Sequence, residues 1–155
     1  MRIVTINEMP QIKERAALWF SQKWEIPEYL YLKSISDSLA DVSGATAWYL
    51  VLKGDEIIAG AGVISRDLSR QNILPPTVCA VYVESEYRGR GIAGSLLGYI
   101  CVDMAFRGVE ALYLTTEMEG FYEGYGWEFV RLIEDDEKDM RLYKRKLNIF
   151  ERCLL

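Results

Sequence analysis

The sequence predicts an α/β domain whose mixed central sheet of about six to seven strands is flanked by about four helices. Three observations carry that expectation. Short β-branched runs recur along the chain, at residues 2–6, 56–64 and 77–83 among others. A two-row apolar stripe at helical spacing runs from Ile92 to Ala105, directly after one of those runs. A further strand-like run, residues 111–115, follows the stripe, and strand–helix–strand order favours parallel pairing through a right-handed crossover.

Taken in order, residues 2–6 form the first strand. Ile12, Ala16, Trp19 and Phe20 share one helical face and predict a helix over roughly residues 8 to 23. Pro27 suits the first turn of a second helix, in which Leu32, Ile35 and Leu39 repeat at helical spacing before Ser43-Gly44 breaks the chain. Residues 45–52 and 56–64 are joined by Lys53-Gly54-Asp55 and so predict an antiparallel hairpin. Gly60 and Gly62 inside its second strand signal a bulge or the close approach of another backbone. Residues 66–76, ending in Pro75-Pro76, read as a polar loop, and residues 77–83 as a central buried strand.

The long helix has the clearest pattern. Ile92, Leu96, Ile100 and Met104 make one row, and Ala93, Leu97, Cys101 and Ala105 the next. Gly108 closes it. A short helix near residues 120–125 and strands at 127–132 and 140–147 complete the domain, with the acidic run 134–139 as a solvated hairpin loop. Residues 1–147 are expected to form a single domain and 148–155 a C-terminal tail. The tail's Ile149, Phe150, Leu154 and Leu155 are suited to covering a sheet edge or supporting a homodimer.

With 155 residues the chain can bury a sizeable core without staples. Its apolar runs are too short to span a bilayer, and its first residues lack a signal peptide's cleavage region, so neither membrane nor export is expected. Cys79, Cys101 and Cys153 are odd in number and lack metal-type spacing; they read as reduced thiols of a cytoplasmic protein without a metal. A net charge of −5 argues against nucleic acid as a partner and is compatible with a cationic amine. The chain contains no histidine, which excludes a Ser-His-Asp hydrolase and leaves proton transfer to Glu, Asp, Tyr, Cys, Lys or water.

Function is concentrated in the turn between residue 83 and the long helix, Glu84-Ser85-Glu86-Tyr87-Arg88-Gly89-Arg90-Gly91-Ile92-Ala93-Gly94-Ser95. Glycines let backbone come close to a ligand, and a helix N-terminus offers unpaired N–H groups to a phosphate. Arg88 and Arg90 add charge there, while Ala93 and Gly94 keep the first helical turn open. The Gly-x4-Gly-Lys-Ser/Thr loop of nucleotide hydrolases is absent, and the dinucleotide pattern lacks its acidic strand end.

The stretch from Val81-Tyr82-Val83 through Arg88-Gly89-Arg90-Gly91-Ile92-Ala93 resembles the acetyl-CoA signature of the GNAT superfamily of N-acetyltransferases, Arg/Gln-x-x-Gly-x-Gly/Ala, filled by Arg88, Gly91 and Ala93. Downstream, Phe121-Tyr122-Glu123-Gly124-Tyr125-Gly126-Trp127 is similar to the family's Phe-Tyr-x-x-x-Gly-Phe/Trp segment. The resemblance implies acetyl-CoA as cosubstrate. Its pyrophosphate would lie on the amides of residues 88–93, with Gly94 and Ser95 completing the site and Val81, Tyr82 and Val83 pairing with the pantetheine arm. It also implies a cleft beside that strand in which an amine of a small molecule or peptide attacks directly, an oxyanion being held by an N–H near Tyr82 or Val83. Tyr122 matches the family's proton donor to the departing thiolate; reference values of about 8.5 for a thiol and about 10 for a phenol keep it protonated at neutral pH. Tyr125 competes for that role. Glu84 and Glu117 are candidates for the base, Cys79 is a strand cysteine unsuited to a covalent route, and Glu28 and Tyr29, with Trp24 and Tyr31, are candidate acceptor contacts. A non-catalytic acetyl-CoA-binding module and a protein using the turn for another phosphate ligand are the rival readings.

Overall fold

The computed structural model describes residues 1–41, 44–135 and 138–148. Among these residues seven strands, β1 (Arg2–Thr5), β2 (Ala47–Lys53), β3 (Glu56–Arg66), β4 (Ile73–Val83), β5 (Ala111–Thr116), β6 (Glu128–Asp135) and β7 (Lys138–Lys146), form one sheet in the order β1-β2-β3-β4-β5-β7-β6. All neighbours are antiparallel except β4 and β5. The α-helices are α1 (Lys13–Trp24), α2 (Glu28–Ala40) and α3 (Ile92–Phe106). The fourth helical element expected from the sequence is a 3-10 turn, Tyr122–Tyr125, which Gly126 ends at a φ of 88°.

Each face of the sheet buries a separate helical layer. On one side Leu96, Ile100 and Met104 of α3 pack on Tyr49, Ile58 and Val63 of the central strands. On the other, Phe20 of α1 and Tyr31 and Ile35 of α2 pack on Trp48 and Leu50. Phe20, Tyr31 and Trp48 form a mutual ring cluster with centroids 4.9 to 5.5 Å apart. Gly60 and Gly62 make room for it: a Cβ at Gly62 would lie 2.6 Å from the Trp48 ring, and one at Gly60 2.8 Å from Phe20 Cζ. The close approach here is by side-chain rings, with the Tyr49 carbonyl near Gly60 the one backbone group among the nearest atoms, while the other expectation, a bulge, appears as a register shift of β3 on β4 between the two glycines.

Several element boundaries differ from expectation for local reasons. Two 3-10 turns, Ile6–Glu8 and Pro10–Ile12, occupy the start of the helix expected at residue 8, so α1 begins at Lys13. Pro27 lies outside α2 as its capping residue, in an extended conformation. The polar loop is shorter than residues 66–76, because β4 begins at Ile73. Ile64 pairs with Thr77 and Arg66 with Ile73, so Pro75 and Pro76 fall in the irregular stretch where a missing N–H is tolerated. The Asp67 side chain closes the remaining turn by accepting the Ser69 and Arg70 amides at 2.9 and 2.7 Å. The acidic hairpin is likewise tighter, since Glu134 pairs with Asp139 and Asp135 with Lys138. The tail from residue 149 onward lies outside the described residues. No described helix is long and apolar enough to cross a membrane.

One feature of the sheet makes the site. The parallel pair β4–β5 is registered at Thr77 opposite Tyr113, with no registered pair among the described residues beyond it. β4 stays on β3 up to Val83, and β5 stays on β7 up to Thr116. The two central strands therefore part towards their C-terminal ends. β4 also carries an extra residue there: Gly62 faces Cys79 and Gly60 faces Tyr82, and Ala80 takes a left-handed φ of 56°.

Candidate active site

Where β4 and β5 part, the chain forms a cavity of about 510 Å³ whose wall is mostly apolar. One side is residues 81–83 of β4, the end is the glycine turn with the first turn of α3, and the far side is Phe121, Tyr122 and Tyr125. Trp24 and Met118 complete the rim. Of the residues expected to hold acetyl-CoA, all but Arg90 and Ser95 line this one cavity.

The turn is shaped by Gly89 and Gly91, at φ values of 75° and 78° that suit glycine. Gly91 caps α3, and the first bond of that helix runs from the Ser95 N–H to the Gly91 carbonyl at 3.0 Å. The amides of Ile92, Ala93 and Gly94 thus have no partner within the helix and sit at its positive end. Arg88 folds back, its Nε donating to the Val83 carbonyl at 2.9 Å. Arg90 lies outside the cavity, its guanidinium 5.3 Å from the centre of the Tyr87 ring. A glycine turn, free amides and an arginine at the mouth of a long apolar cleft fit a diphosphate joined to an extended arm. Among the described residues no cluster of acidic or cysteine side chains is arranged to hold a metal.

Tyr122 is 7% exposed and lines the cavity. Its ring meets Phe121, Tyr143 and Trp127 at centroid distances of 5.0, 5.9 and 6.1 Å. Tyr143 is itself pinned, donating its hydroxyl to Glu123 at 3.0 Å and accepting Arg141 Nε at 2.9 Å. Burial pushes the Tyr122 phenol above the ordinary tyrosine value, so it keeps its proton at neutral pH. Tyr125 is more open, at 42% exposure, and its ring rests on the first turn of α3, where a Cβ at Gly94 would lie 2.3 Å from Tyr125 Cε1.

Glu84 is turned towards α1. Its Oε1 accepts Trp19 Nε1 at 3.0 Å and contacts the Lys23 ammonium, and it is not part of the cavity wall. Glu117 is exposed and 3.6 Å from Lys138 Nζ. Glu28 and Tyr29 open α2 as exposed residues away from the wall, whereas Trp24, three residues before Pro27, reaches it. Burial pushes the Cys79 thiol up to about 12, aided by Asp67, which leaves no thiolate for covalent chemistry at neutral pH. Sequence reasoning missed two wall residues, Tyr87 and Met118. Met118 had a faint signal, a lone apolar residue between Glu117 and Glu119; Tyr87 had none beyond its place in the turn.

Residues 1–130 match the family of acetyltransferase (GNAT) domains. The chain belongs to the GNAT acetyltransferases. No curated protein sequence matches it closely enough to be counted. Among solved structures, an aminoglycoside 6'-N-acetyltransferase complexed with coenzyme A superimposes with a TM-score of 0.71 at 16% identity, over 94% of this chain and 97% of that one. A GNAT-family acetyltransferase from Streptococcus pneumoniae gives 0.72 at 12% identity, over 95% and 100%. A ribosomal-protein-alanine N-acetyltransferase from Brucella melitensis gives 0.68 at 14%, over 95% and 100%. At such identities the likeness bears on the fold. As a GNAT enzyme the chain uses acetyl-CoA as its acetyl donor.

Proposed function

We propose that this GNAT domain transfers the acetyl group of acetyl-CoA to a primary amine of a small molecule or peptide by direct attack in the cavity between β4 and β5. The observation that carries this reading is the convergence on one cavity of the α3 amides, the parted end of β4 and the buried Tyr122. The amides of residues 88–93 would hold the pyrophosphate, and residues 81–83 would pair with the pantetheine arm like an added strand. Acetyl-CoA supplies a thioester, an acyl carbon that an amine can attack and a thiol leaving group. The bulge leaves Ala80 and Val81 unregistered on β3 while Tyr82 and Val83 face Gly60 and Ala59, which supports an oxyanion role for the N–H groups just before Tyr82. Tyr122 gives its proton to the departing sulfur; its burial keeps it protonated and its packing fixes the ring.

Two structural relatives bear the names of a small-molecule and a protein acetyltransferase, so the fold admits either acceptor size. The wall offers rings, Trp24, Tyr82 and Phe121, for packing against the acceptor's apolar parts. The test is an amine panel with acetyl-CoA, read as free CoA released. Amine-dependent release is expected. Tight acetyl-CoA binding with no release for any amine in the panel would favour a regulatory module instead.

A further inference from the structure

An attacking amine must shed a proton, and the cavity wall holds nothing suited to taking it. Among the described residues its polar side chains are four tyrosines and Arg88, with no carboxylate or lysine, and the chain has no histidine. Glu84, next in the chain after the wall residue Val83, is already engaged. Its Oε1 accepts Trp19 Nε1 at 3.0 Å and contacts Lys23 Nζ, and both side chains of that ion pair are about four-fifths shielded, with side-chain exposures of 20% and 21%.

The same groups enclose Tyr82. Lys23 Nζ lies 5.3 Å and the Arg88 guanidinium carbon 5.1 Å from the Tyr82 ring centre. Trp19 and Trp24 meet that ring edge-on at 5.8 and 6.1 Å. Around the neighbouring Tyr87 ring lie Glu56 of β3, which accepts the Tyr87 hydroxyl at 3.4 Å, and the cations of Lys53 and Arg90, 5.4 and 5.3 Å from the ring centre. Glu84 thus ties α1 to the end of β4, and the ring between them is part of the cavity wall. Lys23 is matched by Glu84, so the unbalanced charge over the Tyr82 ring is the Arg88 guanidinium, which disfavours an ammonium ion beside it relative to a neutral amine.

We propose that Glu84 is a positioning residue, clamped by Lys23 to fix Tyr82, and that the acceptor is a weakly basic amine of the α-amino class that enters already neutral. The proposal rests on the cavity being the acetyl-transfer site. Its proton balance closes without an enzymic base. The ammonium loses one proton to water before attack; the N–C bond then forms and the C–S bond breaks. The nitrogen's surplus proton passes to water, Tyr122 protonates the sulfur, and the phenol recovers its proton from water. Reference values of about 8 for an α-amino group and about 10.4 for a lysine-type amine leave roughly a tenth of the first neutral at pH 7 and far less of the second.

The test is CoA release from acetyl-CoA as a function of pH, with alanine amide and n-butylamine as acceptors, for the wild type, Glu84→Gln, Lys23→Met and Lys23→Arg. The acidic limb of kcat/KM is expected to shift by about two pH units between the acceptors, tracking each amine's own ionisation. Glu84→Gln and Lys23→Met should raise the acceptor KM several-fold with that limb in place and acetyl-CoA affinity retained, while Lys23→Arg restores the KM. An acidic limb at one pH for both acceptors that vanishes in Glu84→Gln would make Glu84 the base and overturn the proposal. An unchanged acceptor KM in both Glu84→Gln and Lys23→Met would overturn the clamp. Absence of amine-dependent release in the wild type would instead overturn the acetyl-transfer reading beneath it.

Discussion

Tyr122 combines a ring packed on three others with a place in a cavity wall. Its phenol is raised by burial, and a raised group keeps its proton through the ordinary tyrosine range and loses it only at higher pH. The basic limb of turnover should therefore lie above pH 10, with activity falling as pH rises through it. A limb near pH 8 to 9 in a pH–rate profile would point to another donor. Cys79 gives the complementary prediction. With its thiol pushed up to about 12, Cys79→Ala should keep near-wild-type turnover, and loss of activity in a folded variant would reopen a covalent route. At this scale the sequence exposed what is chemically distinctive, the glycines, the arginines and the Phe-Tyr segment. It could not expose partners: nothing in Glu84-Ser85 indicates that the carboxylate is held by Lys23 and Trp19, 61 and 65 residues earlier in the chain.

Among the elements, β3 shows how small residues place large ones. Gly60 and Gly62 leave space that Phe20 and Trp48 fill, and Trp48 is fully buried with its Nε1 donating to Ser34 at 3.0 Å. Gly62→Ala should cost about 1–3 kcal/mol, because the ring in its way has nowhere to go. Urea unfolding measures this, and a variant as stable as the wild type would show that the ring layer can yield. Helical stripes and hairpin turns were legible because their periodicities are local. The start of α1 and the extent of β4 were not. Pro10 and Pro75-Pro76 are permitted only by what surrounds them, a 3-10 turn in one case and an irregular strand pairing in the other.

For the molecule as a whole, function follows from a sheet that opens on one side of its central strand. The order of elements was readable along the chain, but the parting of β4 from β5 depends on each strand holding its outer neighbour instead of the other. The two-layer core is rich in buried tyrosine. Burial raises Tyr31 and Tyr49 above the ordinary value, and Tyr49 also donates to Asp103 at 2.6 Å. A raised folded value means stability that is complete below the unfolded value of about 10 and is lost as pH climbs beyond it. Thermal melts should therefore drop between pH 8 and pH 11, and an unchanged midpoint would mean these phenols ionise as freely folded as unfolded. The central claim, acetyl transfer in a cavity where Tyr122 protonates the leaving sulfur, is tested most directly by the turnover of Tyr122→Phe at saturating amine and acetyl-CoA. Release of CoA about 10²-fold or more slower than in the wild type, with acetyl-CoA affinity unchanged, is the expected result. Turnover equal to the wild type would contradict it.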